Sequence, residues 1–326
     1  MRRRVRPALR GASVLAPPAP GASAPRTRRA LRIAVLSRRP NLYTTRRLGE
    51  AASARGHRLR IVDPLQCHLT LGEPRPRIWY QGRELRRPDV VLPRIGPSSP
   101  AYALAVVHQF ELMGVPLVNS FAPISRARDK LLSLQLLSQN GIAIPKTVVA
   151  RNPSHLPQSL AEVGGPPVVL KLTHGTQGVG VMLADSQHAV ESMLDTLWSL
   201  GQTILIQEFI AESSGRDIRA LVMGGRVVAA MRRRAKLGEF RSNIHRGGEG
   251  SPVELDPEYA RVAVLAASVV GLEIAGVDLL ESRLGPRVIE INASPGFEGL
   301  EEATGLDIAT LFVQHAEAHA RATAQD

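Results

Sequence analysis

The chain has 326 residues, 44% of them hydrophobic, with 41 lysines and arginines against 29 aspartates and glutamates and one cysteine. That length and apolar content suit about two domains with substantial cores, and no apolar run approaches a membrane span. A lone Cys67 excludes an internal disulfide and any paired-cysteine zinc site, so a reducing cytoplasm is the expected setting and no membrane is an expected partner.

The formal charge of +12 resembles a nucleic-acid signature until it is divided along the chain. Residues 1–30 hold eight arginines and no acid, which leaves only four positive charges for 31–326. The first thirty residues are rich in Arg, Pro, Ala and Gly without hydrophobic periodicity, and a disordered basic tail is expected there. Such a tail suits a dispensable arm, an over-long translation start or a transit-like leader. It could also contact RNA weakly through phosphates, but no aromatic is interleaved for base stacking.

Folding is expected to begin at Leu31. LRIAVLS reads as a strand, TTRRLGEAASARG as a helix and HRLRIVDP as the next strand, an α/β unit. DVVLPRIG and PLVNS continue the alternation, and between them AYALAVVHQFELMG has helical spacing that ends at glycine. Residues 31–127 therefore predict a small open parallel sheet, with a second domain over 128–317 and a short tail over 318–326. The helix near Asp307 to Ala320 is amphipathic and reads as structural. His57, His108 and His245 show no metal-ligand spacing.

PPVVLKLTHGTQGVGVML reads as strand, glycine-rich loop and strand, with Lys171 ending the first strand. Gly175, Gly178 and Gly180 allow positive φ, so backbone amides can face phosphate oxygens while the lysine supplies a point charge. The order of lysine, glycines and strand is neither a Walker loop nor a dinucleotide fingerprint, and taken alone the segment is equally an ordinary turn. ILIQEFI interrupts an apolar strand with Gln207 and Glu208. Glu208 suits ribose hydroxyls, the backbone of Phe209 an adenine edge, and Asp217 a role like that of Glu208. In EFRSNIHRGG, Arg241, Ser242 and Asn243 offer a cation, a hydroxyl and an amide that fit a phosphate or acyl-phosphate clamp. Of Arg232, Arg233 and Arg234, at least one reads as a solvated basic face.

Near the C-terminus, GVDLL carries Asp278 and VIEINASPG carries Glu290 and Asn292. Strand alternation points Glu290 and Asn292 the same way, and a hairpin through Arg283 to Pro286 brings Asp278 beside them. Three hard oxygen donors in apolar strands suit magnesium or manganese held jointly with phosphates. A buried salt bridge to arginine is the alternative, disfavoured because the two strands offer no basic residue at matching pleat positions. Without metal the carboxylates are expected to repel, so removing either is expected to relieve the apo fold.

Taken in order, VVLKLTHGTQGVGV, IQEFI, GRDIR, RRRAKLGEFRSNIHRGG, AGVDLL and VIEINASPGFEGLE resemble the RimK-like group of ATP-grasp ligases over about residues 31–317. The resemblance implies an α/β (α+β) fold with an N-terminal pre-ATP-grasp domain and a two-lobed ATP-grasp domain. It places ATP on Lys171, Glu208, Phe209, Asp217, Arg241, Ser242 and Asn243, and two divalent ions, Mg²⁺ or Mn²⁺, on Asp278, Glu290 and Asn292, with Arg241 as the catalytic cation. Lys130 in RARDKLLSLQLL matches a second phosphate lysine, although a helix-capping role with Asp129 competes, and His174 stands where an acidic residue is usual. The implied reaction joins L-glutamate to the C-terminal carboxylate of small-subunit ribosomal protein six through an acyl phosphate. A sister ligase acting on a small molecule or carrier protein, or a non-catalytic nucleotide-binding ribosome partner, shares parts of the pattern. Self-association is compatible with each.

Overall fold

β1 (Arg32–Leu36) is apolar on both faces, the pattern of a strand covered on two sides. It lies in the middle of a parallel sheet of order β2-β1-β6, after α1 (Tyr43–Ala54) and with β2 (Arg58–Val62) and β6 (Val90–Pro93) at its flanks. Between the last two, β3 (Cys67–Thr70), β4 (Arg77–Tyr80) and β5 (Arg83–Glu84) form a small antiparallel sheet. α2 (Ala101–Leu112), α3 (Phe121–Arg128) and α4 (Lys130–Gln139) follow. The computed structural model describes residues 29–72, 74–152, 154–173, 180–236, 239–242 and 247–323. Leu31–Asp326 is one unit, separate from Met1–Ala30.

PLVNS does not become a strand. Only a bridge between Val91 and Leu117 remains of it, because the chain there is held by the Asn119 side chain. That buried amide donates to Ile274 O (2.8 Å) and Ala293 O (3.0 Å) and accepts from Glu273 N (2.7 Å) and Ile274 N (2.9 Å). With all its hydrogen-bonding capacity used, it pins the first sheet to the strands that carry the candidate metal ligands.

An antiparallel sheet of order β7-β10-β8-β9 comes next, from β7 (Thr147–Ala150), β8 (Val168–Leu172), β9 (Val181–Ala184) and β10 (Ile204–Glu208). α5 (Leu156–Glu162) and α6 (Gln187–Ser199) bury Leu156, Leu160, Val190 and Leu194 in the same cluster as Val168, Leu170 and Ile206. A larger antiparallel sheet of order β13-β12-β11-β14-β15 follows, from β11 (Arg216–Met223), β12 (Arg226–Arg234), β13 (Glu249–Pro252), β14 (Ile274–Ser282) and β15 (Gly285–Asn292), with α7 (Pro257–Val270) packed on it. α8 (Glu298–Thr304) and α9 (Ile308–Ala322) close the chain. Asp307 caps α9 by accepting from Thr310 N at 3.0 Å, and the helix runs past the expected end at Ala320 and through the expected boundary at 317.

At the start of the unit, Leu31 N donates to His57 Nδ1 at 3.2 Å, which leaves Nε2 as the protonated nitrogen that donates to buried Glu317 at 2.8 Å. Both ring nitrogens of the histidine are thereby satisfied. A chain shortened to begin at Arg29 keeps this peptide hydrogen bond and is expected to melt with the full-length protein and match its turnover; a lower melting temperature would show that the tail contributes to the fold.

Candidate active site

The β14–β15 register sets Asp278 opposite Glu290 and Gly276 opposite Asn292, so Asp278, Glu290 and Asn292 share one face. Gly276 is needed for this approach: a Cβ there would lie 2.8 Å from the Cβ of Pro295 and 3.7 Å from that of Asn292. The structure thus brings the three oxygen-bearing side chains together as their alternation required.

It also corrects the expectation that no base faces them. β11 pairs with the other edge of β14 and sets Arg219 opposite Asp278. Arg219 donates Nε to Oδ1 at 2.7 Å and Nη2 to Oδ2 at 2.6 Å, while Arg233, one strand further, reaches Oδ2 at 2.9 Å. Burial pushes the Asp278 carboxyl up, but the two guanidinium groups outweigh it and hold the carboxyl below its ordinary range. A lone pair of strands shows no matching base because the base arrives from a strand more than fifty residues earlier in the chain.

Asp217, expected beside ribose, has a different partner. Its side chain is 6% exposed, and its oxygens accept from Arg233 Nε at 2.6 Å and Nη2 at 2.5 Å. It holds Arg233 against Asp278. Arg233 is accordingly buried, not a solvated base, and its pKa is raised despite burial by Asp217 and Asp278.

Lys171 is enclosed on β8, and its Nζ donates to Gln207 Oε1 at 2.6 Å; Gln207 in turn donates to Thr147 Oγ1 at 2.8 Å. Gln207 therefore aims the lysine across the sheet. Burial pushes the ammonium down to about 8, against the opposing pull of Glu290, Asp278 and Asp217, with Lys130 adding to the depression. Glu290 and Asp278 on β15 and β14 are thus among the charges that the β8 lysine feels. Lys130 Nζ stands 3.7 Å from Glu290 Oε1, while its neighbour Asp129 caps α4 by accepting from Leu132 N at 3.0 Å. The cap is thus Asp129, and Lys130 beside it faces Glu290.

Gly180 has φ +73°, and a Cβ there would come within 2.6 Å of Leu172 Cδ1. The loop end beside Lys171 thus requires glycine. His174, Gly175, Gly178, Asn243 and His245 lie outside the described residues. Arg241 is bound by Glu239, with Nη2 donating to Oε2 at 2.6 Å and Nε to Oε1 at 2.9 Å, and its Nη1 reaches Val181 O at 3.4 Å. That contact lays the segment carrying Arg241 and buried Ser242 against the start of β9. Glu239 is held down to about 2, by Arg241 first. Glu208 ends β10 and accepts from Lys146 N at 3.1 Å, with Phe209 next to it, partly exposed.

The donor set suits hard divalent cations. A carboxylate oxygen bound by arginine keeps a further lone pair, and Glu290 is a third exposed. Asn292 Nδ2 is buried without a hydrogen-bond partner, as fits an amide whose oxygen end serves a ligand. Among the described residues no group of three His, Cys, Asp or Glu side chains forms a metal-type cluster. Arg219 carries no local signal of its own and only strand order assigns it; Gln207 stood out as a polar residue in an apolar strand, but only the lysine across the strand pair gives its partner.

A family model described as a RimK-like ATP-grasp domain matches residues 127–315, and one described as a RimK PreATP-grasp domain matches 31–124. The chain is 53% identical over 291 residues to a "Probable alpha-L-glutamate ligase" of Thioalkalivibrio sulfidiphilus, covering 89% of this chain and 97% of that protein. A protein of the same description from Syntrophotalea carbinolica is 52% identical, with the same coverage. Among solved structures, the ATP-grasp ligase PsnB complexed with its minimal precursor superposes with TM-score 0.71 at 24% identity, over 89% of this chain and 99% of that one. A RimK domain protein ATP-grasp from Sphaerobacter thermophilus gives 0.67 at 24%, over 87% and 99%. At these identities the superpositions speak for the fold alone. The fold is that of an ATP-grasp protein with its pre-ATP-grasp domain, and the protein is an ATP-dependent ligase of a class that works with ATP and divalent metal ions. The chain belongs to the RimK-like ATP-grasp family.

Proposed function

We propose that this chain is an α-L-glutamate ligase that joins the amine of L-glutamate to the C-terminal carboxylate of small-subunit ribosomal protein six, adding one or several residues. The observation that supports phosphoryl transfer is the oxygen face shared by Asp278, Glu290 and Asn292, with the Lys130 ammonium 3.7 Å from Glu290 Oε1. The choice of glutamate is supported by the descriptions of the relatives at about 50% identity.

Lys171 and Lys130 hold phosphate oxygens, Glu208 accepts from ribose hydroxyls and the backbone of Phe209 meets the adenine edge. Asp217 acts through Arg233. Asp278, Glu290 and Asn292 hold two Mg²⁺ or Mn²⁺ ions, which would neutralise phosphate charge during transfer. The acceptor carboxylate takes the γ-phosphoryl group and ADP leaves. A neutral glutamate amine then attacks the acyl carbon, expels inorganic phosphate and sheds its extra proton. Arg241, exchanging Glu239 for phosphate and helped by Ser242 and Asn243, stabilises the charge that develops. No protein nucleophile is required. A cytoplasmic setting, the division at 127/128 and weak, salt-sensitive RNA contact through residues 1–30 belong to the same proposal.

The experiment is ADP release with ATP and Mg²⁺ for each amino acid, with and without the purified ribosomal protein, together with product mass. Release that needs glutamate and the ribosomal protein, with mass rising in glutamyl steps, is expected. Glutamate-dependent release that ignores that protein would move the acceptor to a small molecule or carrier; no release with any amino acid would overturn the ligase assignment to glutamate.

A further inference from the structure

Three partly or fully enclosed arginines among the described residues are matched by acids: Arg233 by Asp217 and Asp278, Arg219 by Asp278, Arg55 by Glu317. Arg94 is not. Its Nη2 donates to Pro295 O at 2.5 Å and its guanidinium carbon lies 5.4 Å from the ring centre of Phe312, but no acidic side chain among the described residues pairs with it. Burial, with no opposing acid, pushes it down to about 10. The residue as a whole is nevertheless only partly buried. A guanidinium has five donors, and setting it into protein against one carbonyl and one ring is costly unless an anion completes the site.

Its place in the fold says which anion. Arg94 is the first residue after β6, at the carboxyl edge of the parallel sheet, where open α/β sheets receive ligands. Pro295 lies three residues beyond Asn292, and Ser294 Oγ donates to Pro93 O and Ile95 O at 3.3 Å each, so the arginine sits where the first domain meets the strand of candidate metal ligands. A second arginine lacking an acid braces the same loop: Arg128 donates Nη2 to Ser99 O (2.5 Å) and Pro97 O (3.5 Å), while its Nη1 has no partner.

We propose that Arg94 binds a carboxylate of the incoming amino acid, holding it while its amine faces the acyl carbon, and that Arg128 positions the 94–100 loop. The assignment rests on the glutamate-ligase reading. Glutamate reacts through its amine, so both of its carboxylates stay ionised and need cations, and four cations near the oxygen face are engaged in this reading: Lys171 and Lys130 at the phosphates, Arg219 and Arg233 on Asp278 and Asp217. Arg94 supplies the planar fork that a carboxylate fits.

The test measures ADP release against L-glutamate concentration, at saturating ATP, Mg²⁺ and acceptor, for wild type, Arg94→Gln and Arg94→Lys, alongside the ATP-induced melting shift. KM for glutamate is expected to rise at least tenfold in Arg94→Gln, with kcat and the ATP shift little changed and partial recovery in Arg94→Lys. L-glutamine and glutamic acid α-amide, each lacking one carboxylate, identify the carboxylate held: with one of them wild type and Arg94→Gln should perform equally. An unchanged KM in an active variant, or a penalty equal for all three amino acids, would overturn the proposal and leave Arg94 a strut for Pro295. If Arg94→Gln does not fold, the KM and three-compound comparison in Arg94→Lys decides by the same criteria. Wild type that turns over no glutamate would instead remove the reading beneath it, and this assignment with it.

Discussion

Asp278→Ala is expected to abolish ADP formation and to lower stability by about 3–5 kcal/mol, the usual cost of removing one partner from a buried ionic cluster. Arg219 and Arg233 both lean on this carboxylate, and Arg219 has no other acid among its hydrogen bonds. The relief of repulsion suggested by the strand pair alone is therefore not expected. Glu290→Ala should behave differently: its side chain is 33% exposed and its cation lies 3.7 Å away, so stability should change by less than about 1 kcal/mol while ADP release is lost. Urea unfolding and coupled ADP release on both variants check the pair, and an Asp278→Ala protein as stable as wild type would deny the cluster its structural part. The acid limb adds a sign. Asp278 has a depressed folded pKa, so its contribution is complete above the unfolded value near 3.8 and lost as pH falls through the lower folded value. Wild type should lose this contribution below that range, and Asp278→Ala should not.

Lys171→Met is expected to abolish ATP-induced stabilisation with little change in the unliganded melting temperature. Two effects of opposite sign account for the small change. A shift from 10.5 to about 8 corresponds to roughly 3 kcal/mol of unfavourable burial that the variant no longer carries. Gln207 Oε1 loses its donor, which costs about 1–3 kcal/mol. The nucleotide effect has nothing to offset it: ligand at a hundredfold its Kd stabilises by about 2.7 kcal/mol, and that increment should shrink or vanish. Because the folded pKa lies below the unfolded one, the unfolded chain holds the proton between about 8 and 10.5 that the native state has shed, so unliganded wild type should gain stability across that window and Lys171→Met should not. ATP binding should weaken over the same window as the cation is lost. Melting curves at pH 7 and 9, with and without ATP and Mg²⁺, test both statements; a wild-type ATP shift retained by Lys171→Met would move the phosphate site elsewhere.

What could be read from the chain alone was whatever one segment or one adjacent hairpin determines. Glu290 and Asn292 share a face by alternation, and the short turn after Ser282 sets Asp278 opposite Glu290. Lys171 ends a strand beside a glycine whose Cβ would strike Leu172. Strand order was not legible, and with it went the partners of Asp278 and Asp217, since Arg219 and Arg233 meet them only because β11 lies between β14 and β12. Gln207 looked like a ligand for nucleotide because a polar side chain in an apolar strand has no visible local partner; its partner is the lysine on the neighbouring strand. β3, β4 and β5 escaped notice because strands of two to four residues separated by proline and glycine leave too few alternations to count. PLVNS failed for the opposite reason, a plausible strand overruled by one asparagine bonded to a distant hairpin.

The cluster at the centre of the site sets Arg219, Arg233, Lys130 and Lys171 against Asp217, Asp278 and Glu290, so the charges nearly cancel before any substrate arrives. A balanced cluster projects little field beyond a Debye length, about 8 Å at physiological ionic strength. Nucleotide capture therefore owes little to diffusional steering, and its association rate should respond weakly to ionic strength. Discrimination among anions then arises at contact, through dissociation rates, and a passing acidic peptide or nucleic acid is not drawn into the cleft from a distance.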